Sequence, residues 1–428
     1  MAAASTAFAD WRTSSVDRRA QAFLRLAEAL ETRRESLALL ITLEMGKPIT
    51  AAGAEVDKCA QLARWYADNL SDLLADETPD VGGDGTAVIS YLPLGVVLGV
   101  MPWNFPLWQV LRAAVPIICA GNGFLLKHAD NVQGSARALG ECFRAAAFPD
   151  GLFGVVHADR ALVTGLLADR RIVGVSVTAG VAAGASLAAE AGRHIKKSLL
   201  ELGGSDPFIV LADADLDLAV AAAVEARFQN CGQVCIAAKR IIVEAPIMDA
   251  FVTRFVEAAR GILRGDPLDP ATRIGPMARV RARCDVHDQV CRSVAMGARV
   301  LLGGEIPEGP GAYYPPTVLI DVTPDMPVCA EETFGPVAAI MAAKDAEDAV
   351  HIANDSDFGL SAALWTADVE AADRLAQRIE AGAVFVNGMS ASDPRVPIGG
   401  VKHSGYGREL SHFGLREFCN VQLRWIRR

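Results

Sequence analysis

Short apolar runs alternating with alanine-rich amphipathic stretches fill the middle of this chain, and they leave it few folds. "AVISYLPLGVVLGVMPW" is rich in strand-favouring residues, and "GFLLKHA", "GLFGVVH" and "RIVGVSVTAG" are brief apolar runs bounded by glycine or polar residues. Helical stretches such as "SARALGECFRAAAF" lie between them. A strand that is apolar on both faces has to be covered on both faces, which points to a parallel sheet with helices on each side. The alternation resumes after "ELGGSDPFIVL", through "RIIVE", "APIMDAFVTRFVEAARGIL", "AVHIANDS", "LSAALWT", "AADRLAQRIEAG" and "AVFVN". Two α/β lobes meeting near residues 200–205, with the last residues returning to the first lobe, are the simplest division.

Helices precede the first strand. Phe23, Ala27 and Leu30 recur at i, i+4 and i+7 with charged residues between them. A second helix runs through Leu37, Leu40 and Ile41 until "MGKP" stops it, with Gly46 past its end and Pro48 beyond. A third carries Val56, Leu62 and Trp65. The opening "MAAASTAFADWR" has no basic region followed by an apolar one and does not read as a signal peptide. Segments such as "LGVVLGVMPW" are too short and too interrupted to span a bilayer, so a cytoplasmic protein without membrane contact is expected.

With 428 residues, 51% hydrophobic and 21% charged, the chain has ample material for a large core and two domains. A net charge of -10 with scattered basic residues argues against a nucleic-acid partner. The nine cysteines include no CxxC pair, and the seven histidines have no ligand-like spacing to them. Neither a disulfide scaffold nor a metal site is expected, and reduced thiols in a cytosol fit better.

Four stretches could carry chemistry, and each has a plainer reading. In "RFQNCGQVCIAAKR", Cys235 is either an inert buried thiol or a nucleophile, with Gly232 freeing the backbone and the uncharged Asn230 and Gln233 holding the loop. In "LLELGGSDP", the glycines serve a turn, or Glu201 faces a cleft as a general base on water. In "MPWNFPLWQVLRAAVPI", prolines bracket Trp103, Asn104 and Phe105. The stiffened segment is a packed aromatic turn, or it aims the Asn104 amide at a developing oxyanion. In "VSVTAGVAAGASLAAEAG", a strand runs into Gly180, three residues, Gly184 and then a helix, a weak signal for a phosphate seat.

Together these pieces resemble the aldehyde dehydrogenase superfamily. The matching motifs are "PWNFP" (102–106), "ELGG" (201–204), "GQVC" (232–235), "EETFGPV" (331–337) and "PIGGVKHSGYGRE" (397–409), in the family's order along the whole chain. "MPWNFPLWQV", "GNGFLLKHA", "YYPPTVL" and "GRELSHFG" look more closely like the bacterial NAD(P)-dependent succinate-semialdehyde dehydrogenases. The resemblance implies an α/β fold of two Rossmann-like lobes plus an oligomerisation strand element. On that pattern residues 1–203 form the cofactor domain, with 84–95 contributing to an oligomerisation hairpin. Residues 204–396 form the catalytic domain, and 397–428 return to the first domain and supply a strand. A homodimer or homotetramer is implied.

The resemblance also implies a chemistry. Cys235 would attack an aldehyde, most of all succinate semialdehyde, and the Asn104 side chain and the Cys235 N–H would hold the oxyanion. Hydride transfer would leave a thioester, which Glu201-activated water hydrolyses. Trp103, Gly180, Gly184, Glu332 and Phe334 match cofactor positions. Lys127 matches the lysine that meets the adenosine ribose or its 2′-phosphate. Asp130 falls where many NAD-preferring members carry Glu, so NAD or NADP is implied with a modest preference for NAD. For a distal carboxylate, Arg112 falls on a carboxylate-binding arginine, Gln229 replaces a second arginine, and Ser392 matches a hydroxyl donor. The plainer reading of Arg112 is a surface or interface ion pair.

The chain also departs from the pattern. The usual "TGS" turn reads Thr178-Ala179-Gly180, leaving only backbone N–H groups near the pyrophosphate, "KPSE" reads "KHAD" with His128 for a proline, and the "NPATGE"-like opening is missing. Cys231 is read as small-residue packing, with a reversible disulfide to Cys235 as the alternative. Rival functions are a broader aldehyde or other semialdehyde dehydrogenase, a CoA-acylating relative, and a cofactor-binding protein with little turnover.

Overall fold

The computed structural model describes residues 1–83 and 85–427. Residues 84 and 428, which belong to the expected oligomerisation elements, lie outside the described residues. The N-terminal helices Val16–Thr32, Arg34–Met45 and Ile49–Leu73 pack with helix Trp108–Cys119. Their apolar stripes, among them Phe23, Leu26, Ile41 and Val56, merge into one core. Gly46 ends the second of these helices in the left-handed conformation at φ 79°, as "MGKP" predicts. The sequence reading assigned no helix to the opening residues, yet Ala2–Trp11 is helical. Trp11 anchors it, 1% exposed, with its indole N–H donating to the Ile118 carbonyl at 2.8 Å.

Two sheets follow. The first runs Gly405–Tyr406, Lys197–Glu201, Ile172–Thr178, Val96–Met101, Gly123–His128, Phe153–Val155 in spatial order. Its strands are parallel except for the antiparallel edge Gly405–Tyr406. The second runs Val384–Val386, Ala362–Trp365, Pro207–Val210, Arg240–Glu244, Val337–Ala343, Thr317–Ile320, Arg299–Leu302, with only the last strand antiparallel. Central strands such as Thr317–Ile320 are buried at every position, which is why their sequences read as unbroken apolar runs. The chain passes from one sheet to the other between Glu201 and Pro207 and returns at Gly405.

Within the expected 84–95 element, residues 85–93 form a strand. Gly85–Pro93 pairs antiparallel with the distant Cys419–Arg427, Gly85 opposite Arg427 and Pro93 opposite Cys419. Val421, Leu423 and Trp425 alternate along the second strand and are all exposed. Among the described residues, no helix is long and apolar enough to cross a membrane.

Candidate active site

The site is assembled where the two sheets face each other. In the first sheet, the neighbouring strands Lys197–Glu201, Ile172–Thr178, Val96–Met101 and Gly123–His128 run parallel, so their C-terminal ends share one edge. Glu201, Gly180, Trp103, Asn104, Lys127 and Asp130 all lie at or just past those ends, where open α/β sheets place ligands. The second sheet contributes the loops that enter strands Arg240–Glu244 and Val337–Ala343, which carry Cys235 and the pair Glu332 and Phe334.

The Cys235 loop is held in an uncommon shape. Asn230, Cys231 and Gly232 are successively left-handed, at φ 50°, 56° and 70°. Any side chain at Gly232 would run into the Gly335 carbonyl, so glycine is needed there for space as well as conformation. The Asn104 amide donates to the Gln233 carbonyl at 3.0 Å, and the Asn230 amide returns a bond to the Asn104 carbonyl at 2.8 Å. Gln233 accepts from the Ala278 N–H at 3.0 Å. The buried Arg227 donates to the carbonyls of Thr333, Gly335 and Val337, joining this loop to the segment of Glu332 and Phe334. Asn230 and Gln233 hold the loop with uncharged groups, in keeping with the sequence reading.

Cys235 is half-buried, and burial pushes its thiol up to about 11 against the pull of Arg112 and Lys239. Cys231 is 2% exposed and packs in the core of the second sheet. Burial pushes its thiol up to about 12, and its place in that core agrees with the packing reading. All nine cysteines are free.

Two cavities meet at Cys235. The first, about 240 Å³, is walled by Trp103, Asn104, Thr178, Gly180, Glu332 and Phe334 among others. Trp103 and Phe334 meet edge to face, 5.7 Å between centroids. Glu332 accepts from the Gly204 N–H at 3.1 Å and lies 3.5 Å from Lys239. A separate, larger hollow of about 680 Å³ runs along the side of helix Val181–Arg193 and is lined by Lys127, Arg160 and Ala183 among others. The two hollows are lined from either side of the turn at Gly180, the first by Ala179 and Gly180 and the second by Ala182 and Ala183, which suits the two ends of a dinucleotide. No atom lies within 4 Å of a Cβ built on Gly180, the Thr178 hydroxyl is buried without a partner, and helix N–H groups open onto the groove.

Two cofactor positions depart from expectation. Gly184 does not precede the helix: the helix starts at Val181, and Gly184 lies inside it, where a side chain would collide with Leu202. It serves close helix–strand packing. Asp130 is 87% exposed, with its carboxylate 3.3 Å from Lys127, and does not line the groove.

On the other side of Cys235 lies a cavity of about 310 Å³ that includes Lys58, Trp108, Arg112, Gln229 and Ser392. Arg112 is neither a surface nor an interface group. It is 2% exposed and ion-paired with Glu409 and, at 3.5 Å, with Glu201. Its guanidinium lines the cavity beside Lys58 and is held among protein carboxylates. Glu201 walls neither cavity; it is 2% exposed and bound in this cluster. Burial pushes both carboxyls up, with Arg112 pulling them down.

The sequence reading missed several supporting residues. Glu55 accepts from the N–H groups of Leu107 and Trp108 at 2.9 and 3.0 Å, capping the helix behind "PWNFP", and is ion-paired with the buried Lys47. Lys47 stacks over Phe105, 3.6 Å from its centroid. The ring nitrogens of His128 lie 2.9 Å from the Pro106 carbonyl and 3.3 Å from that of Met101, bracing the same segment. Only the departure from the family's proline drew notice to His128. Among the described residues, no group of three or more His, Cys, Asp or Glu is placed to hold a metal ion.

The aldehyde dehydrogenase family model matches residues 1–423. The chain is similar to the NAD(P)+ succinate semialdehyde dehydrogenase Sad of Escherichia coli K12, 55% identical over 422 residues, covering 99% of this chain and 91% of that protein. A succinate-semialdehyde dehydrogenase for NADP+ from Mycobacterium ulcerans is 49% identical over 429 residues, 100% of this chain and 94% of its own. The crystal structure of succinic semialdehyde dehydrogenase from Streptococcus pyogenes in complex with NADP+ matches at TM-score 0.97 and 37% identity, covering 99% of this chain and 93% of that one.

Proposed function

The chain belongs to the aldehyde dehydrogenase family, and from that premise we propose that it oxidises succinate semialdehyde to succinate with NAD or NADP. The observation that carries the reading is the place of Cys235, shared by a cavity walled by Trp103, Glu332 and Phe334 and a second cavity lined by cations. The Cys235 sulfur adds to the aldehyde carbon as its thiolate. The oxyanion so formed is held by the Asn104 amide and the Cys235 N–H. The Gln233 carbonyl and Asn230 hold Asn104 in place beforehand, so little reorganisation is left for the reaction. A nicotinamide dinucleotide held against Trp103, Gly180, Glu332 and Phe334 would supply the hydride acceptor for oxidation of the adduct to a thioester. Glu201, close to the site in the buried cluster with Arg112, is the carboxylate assigned to activate the water that hydrolyses it.

Asn104→Ala is expected to lower kcat by about 10²–10³-fold, the usual effect of losing one oxyanion donor. Steady-state rates at saturating aldehyde measure it, and an unchanged kcat would remove Asn104 from the mechanism.

The modest NAD preference expected from Asp130 is not retained. Lys127 offsets its charge, and two of the relatives are named for NADP+ or NAD(P)+. Arg160 makes no ion pair among the described residues, donating only to Ser186 at 3.1 Å, and offers the groove a cation for a 2′-phosphate. Arg160→Ala is expected to lower kcat/KM for NADP relative to NAD by about 10-fold. Asp130→Ala, at an exposed site, is expected to move that ratio by less than about threefold.

The exposed apolar row Val421, Leu423 and Trp425 supports association of copies through the two-stranded ribbon as a dimer or tetramer. The nine free thiols suit a cytosolic enzyme. Initial rates with succinate semialdehyde, glutarate semialdehyde and plain aliphatic aldehydes, using each cofactor, test the reading. No preference for the four-carbon semialdehyde would overturn its substrate.

A further inference from the structure

A lysine is sealed behind the Cys235 loop. Lys239 immediately precedes strand Arg240–Glu244, and its side chain has no exposed surface. Its ammonium donates to the Val234 carbonyl at 3.0 Å and to the Cys235 carbonyl at 2.5 Å, and it lies 3.5 Å from a carboxylate oxygen of Glu332. Three donors meet three acceptors, which fixes the ammonium in one geometry. A buried ammonium is costly to keep unless its partners are close. Here the partners are two successive carbonyls of the nucleophile's own loop and the carboxylate on the opposite wall of the first cavity.

The Val234 carbonyl and the Cys235 N–H are the two ends of one peptide unit. A cation on the oxygen draws electron density through the conjugated amide and leaves the N–H a stronger donor. In a trans peptide that N–H points the opposite way from the carbonyl, away from the ammonium. Among the described residues the Cys235 N–H donates to no backbone carbonyl of the loop, so it is available to a bound group. We propose that Lys239 is a positioning residue of the oxyanion site, polarising the Val234–Cys235 peptide and fixing its plane so that the Cys235 N–H meets the adduct's oxyanion as a strengthened donor. The assignment rests on the reading above that Cys235 adds to an aldehyde.

Lys239 also acts through space. With Arg112 it pulls the Cys235 thiol down against burial. That field favours the thiolate whatever electrophile it meets, whereas a strengthened N–H helps only where an oxyanion develops. The two effects therefore separate by the choice of electrophile. Lys239 lines neither cavity, so its loss removes no direct contact with the aldehyde. On its other side lies Asp206, a carboxylate 2% exposed, which burial pushes up to about 7 against the pull of Lys239. Removing Lys239 alone strands that buried carboxylate, while removing both charges together does not.

The test compares two second-order rate constants at saturating cofactor. One is kcat/KM for an aldehyde, measured with succinate semialdehyde and with butanal, where addition creates an oxyanion. The other is alkylation of Cys235 by iodoacetamide, which displaces iodide and creates none; mass spectrometry of the Cys235 peptide follows it. In Lys239→Met the ratio of the first to the second is expected to fall about 10- to 100-fold, and alike for both aldehydes. The double variant Lys239→Met, Asp206→Asn should show the same fall, and it supplies the result if the single variant does not fold. Equal losses in oxidation and alkylation overturn the assignment, because Lys239 then acts only through the thiolate or the shape of the loop. No loss in either overturns it too, as does a loss confined to succinate semialdehyde, and each of these leaves the cysteine reading standing. A wild type that oxidises neither aldehyde overturns the cysteine reading and the assignment with it.

Discussion

Replacing Cys235 with alanine is expected to abolish aldehyde oxidation, lowering kcat/KM by on the order of 10⁴-fold or more. No other thiol can take its place. Cys235 is the one cysteine common to the two cavities, and Cys231 is packed in the core with a thiol pushed up to about 12. The substitution removes a half-buried sulfur from a loop held by Asn104, Asn230, Gln233 and Arg227, so the fold should survive it. Absorbance of the reduced cofactor measures the loss, and an unchanged melting temperature separates chemistry from unfolding. Turnover in Cys235→Ala above background would end the thioester mechanism. With the wild-type thiol pushed up to about 11, the thiolate fraction grows with pH, so the acylation rate should rise from neutral into alkaline solution.

Glu201→Gln is expected to separate the two halves of the reaction. Acylation continues, so one equivalent of reduced cofactor per active site should appear as a burst. The following steady state should be slower than wild type by about 10²–10⁴-fold. Two carboxylates share Arg112 in the wild type, and glutamine at position 201 leaves Arg112 paired one to one with Glu409, so the buried cluster keeps its counter-ion. Burial, with Glu409 adding to it, raises Glu201 above the usual carboxylate range against the pull of Arg112. Its basic form therefore gains as pH rises, and the wild-type deacylation rate should increase with pH while that of Glu201→Gln stays flat. Stopped-flow absorbance resolves both phases. A full steady-state rate in Glu201→Gln would assign water activation to another group.

The sequence alone determined a good deal. Strands buried on both faces carry apolar residues at every position, so "GFLLKHA" and "RIVGVSVTAG" read as strands of a parallel sheet. Gly46 after the apolar repeat marked a helix end because left-handed backbone suits glycine. Ordered motifs carry the family membership, and through that resemblance they point to Cys235, Glu201 and Asn104, each in a short contiguous stretch. What only the tertiary structure decided depends on contacts between distant parts of the chain. Gly85–Pro93 finds its partner more than three hundred residues away, a pairing that no local pattern encodes. Gly184 reads as a loop glycine in the sequence, and only the fold sets the Leu202 side chain against it. Above all, the roles of the cations in the substrate cavity were hidden. Arg112 and Lys58 are each one basic residue in a helix, and which of them is ion-paired is decided by where the carboxylates fall in space. Glu409 and Glu201 come to Arg112 from other parts of the chain, while Lys58, which makes no ion pair among the described residues, meets the Ser392 hydroxyl and the Trp108 ring. Charge is written in the sequence, but its neutralisation depends on distance, and distance exists only once the chain has folded.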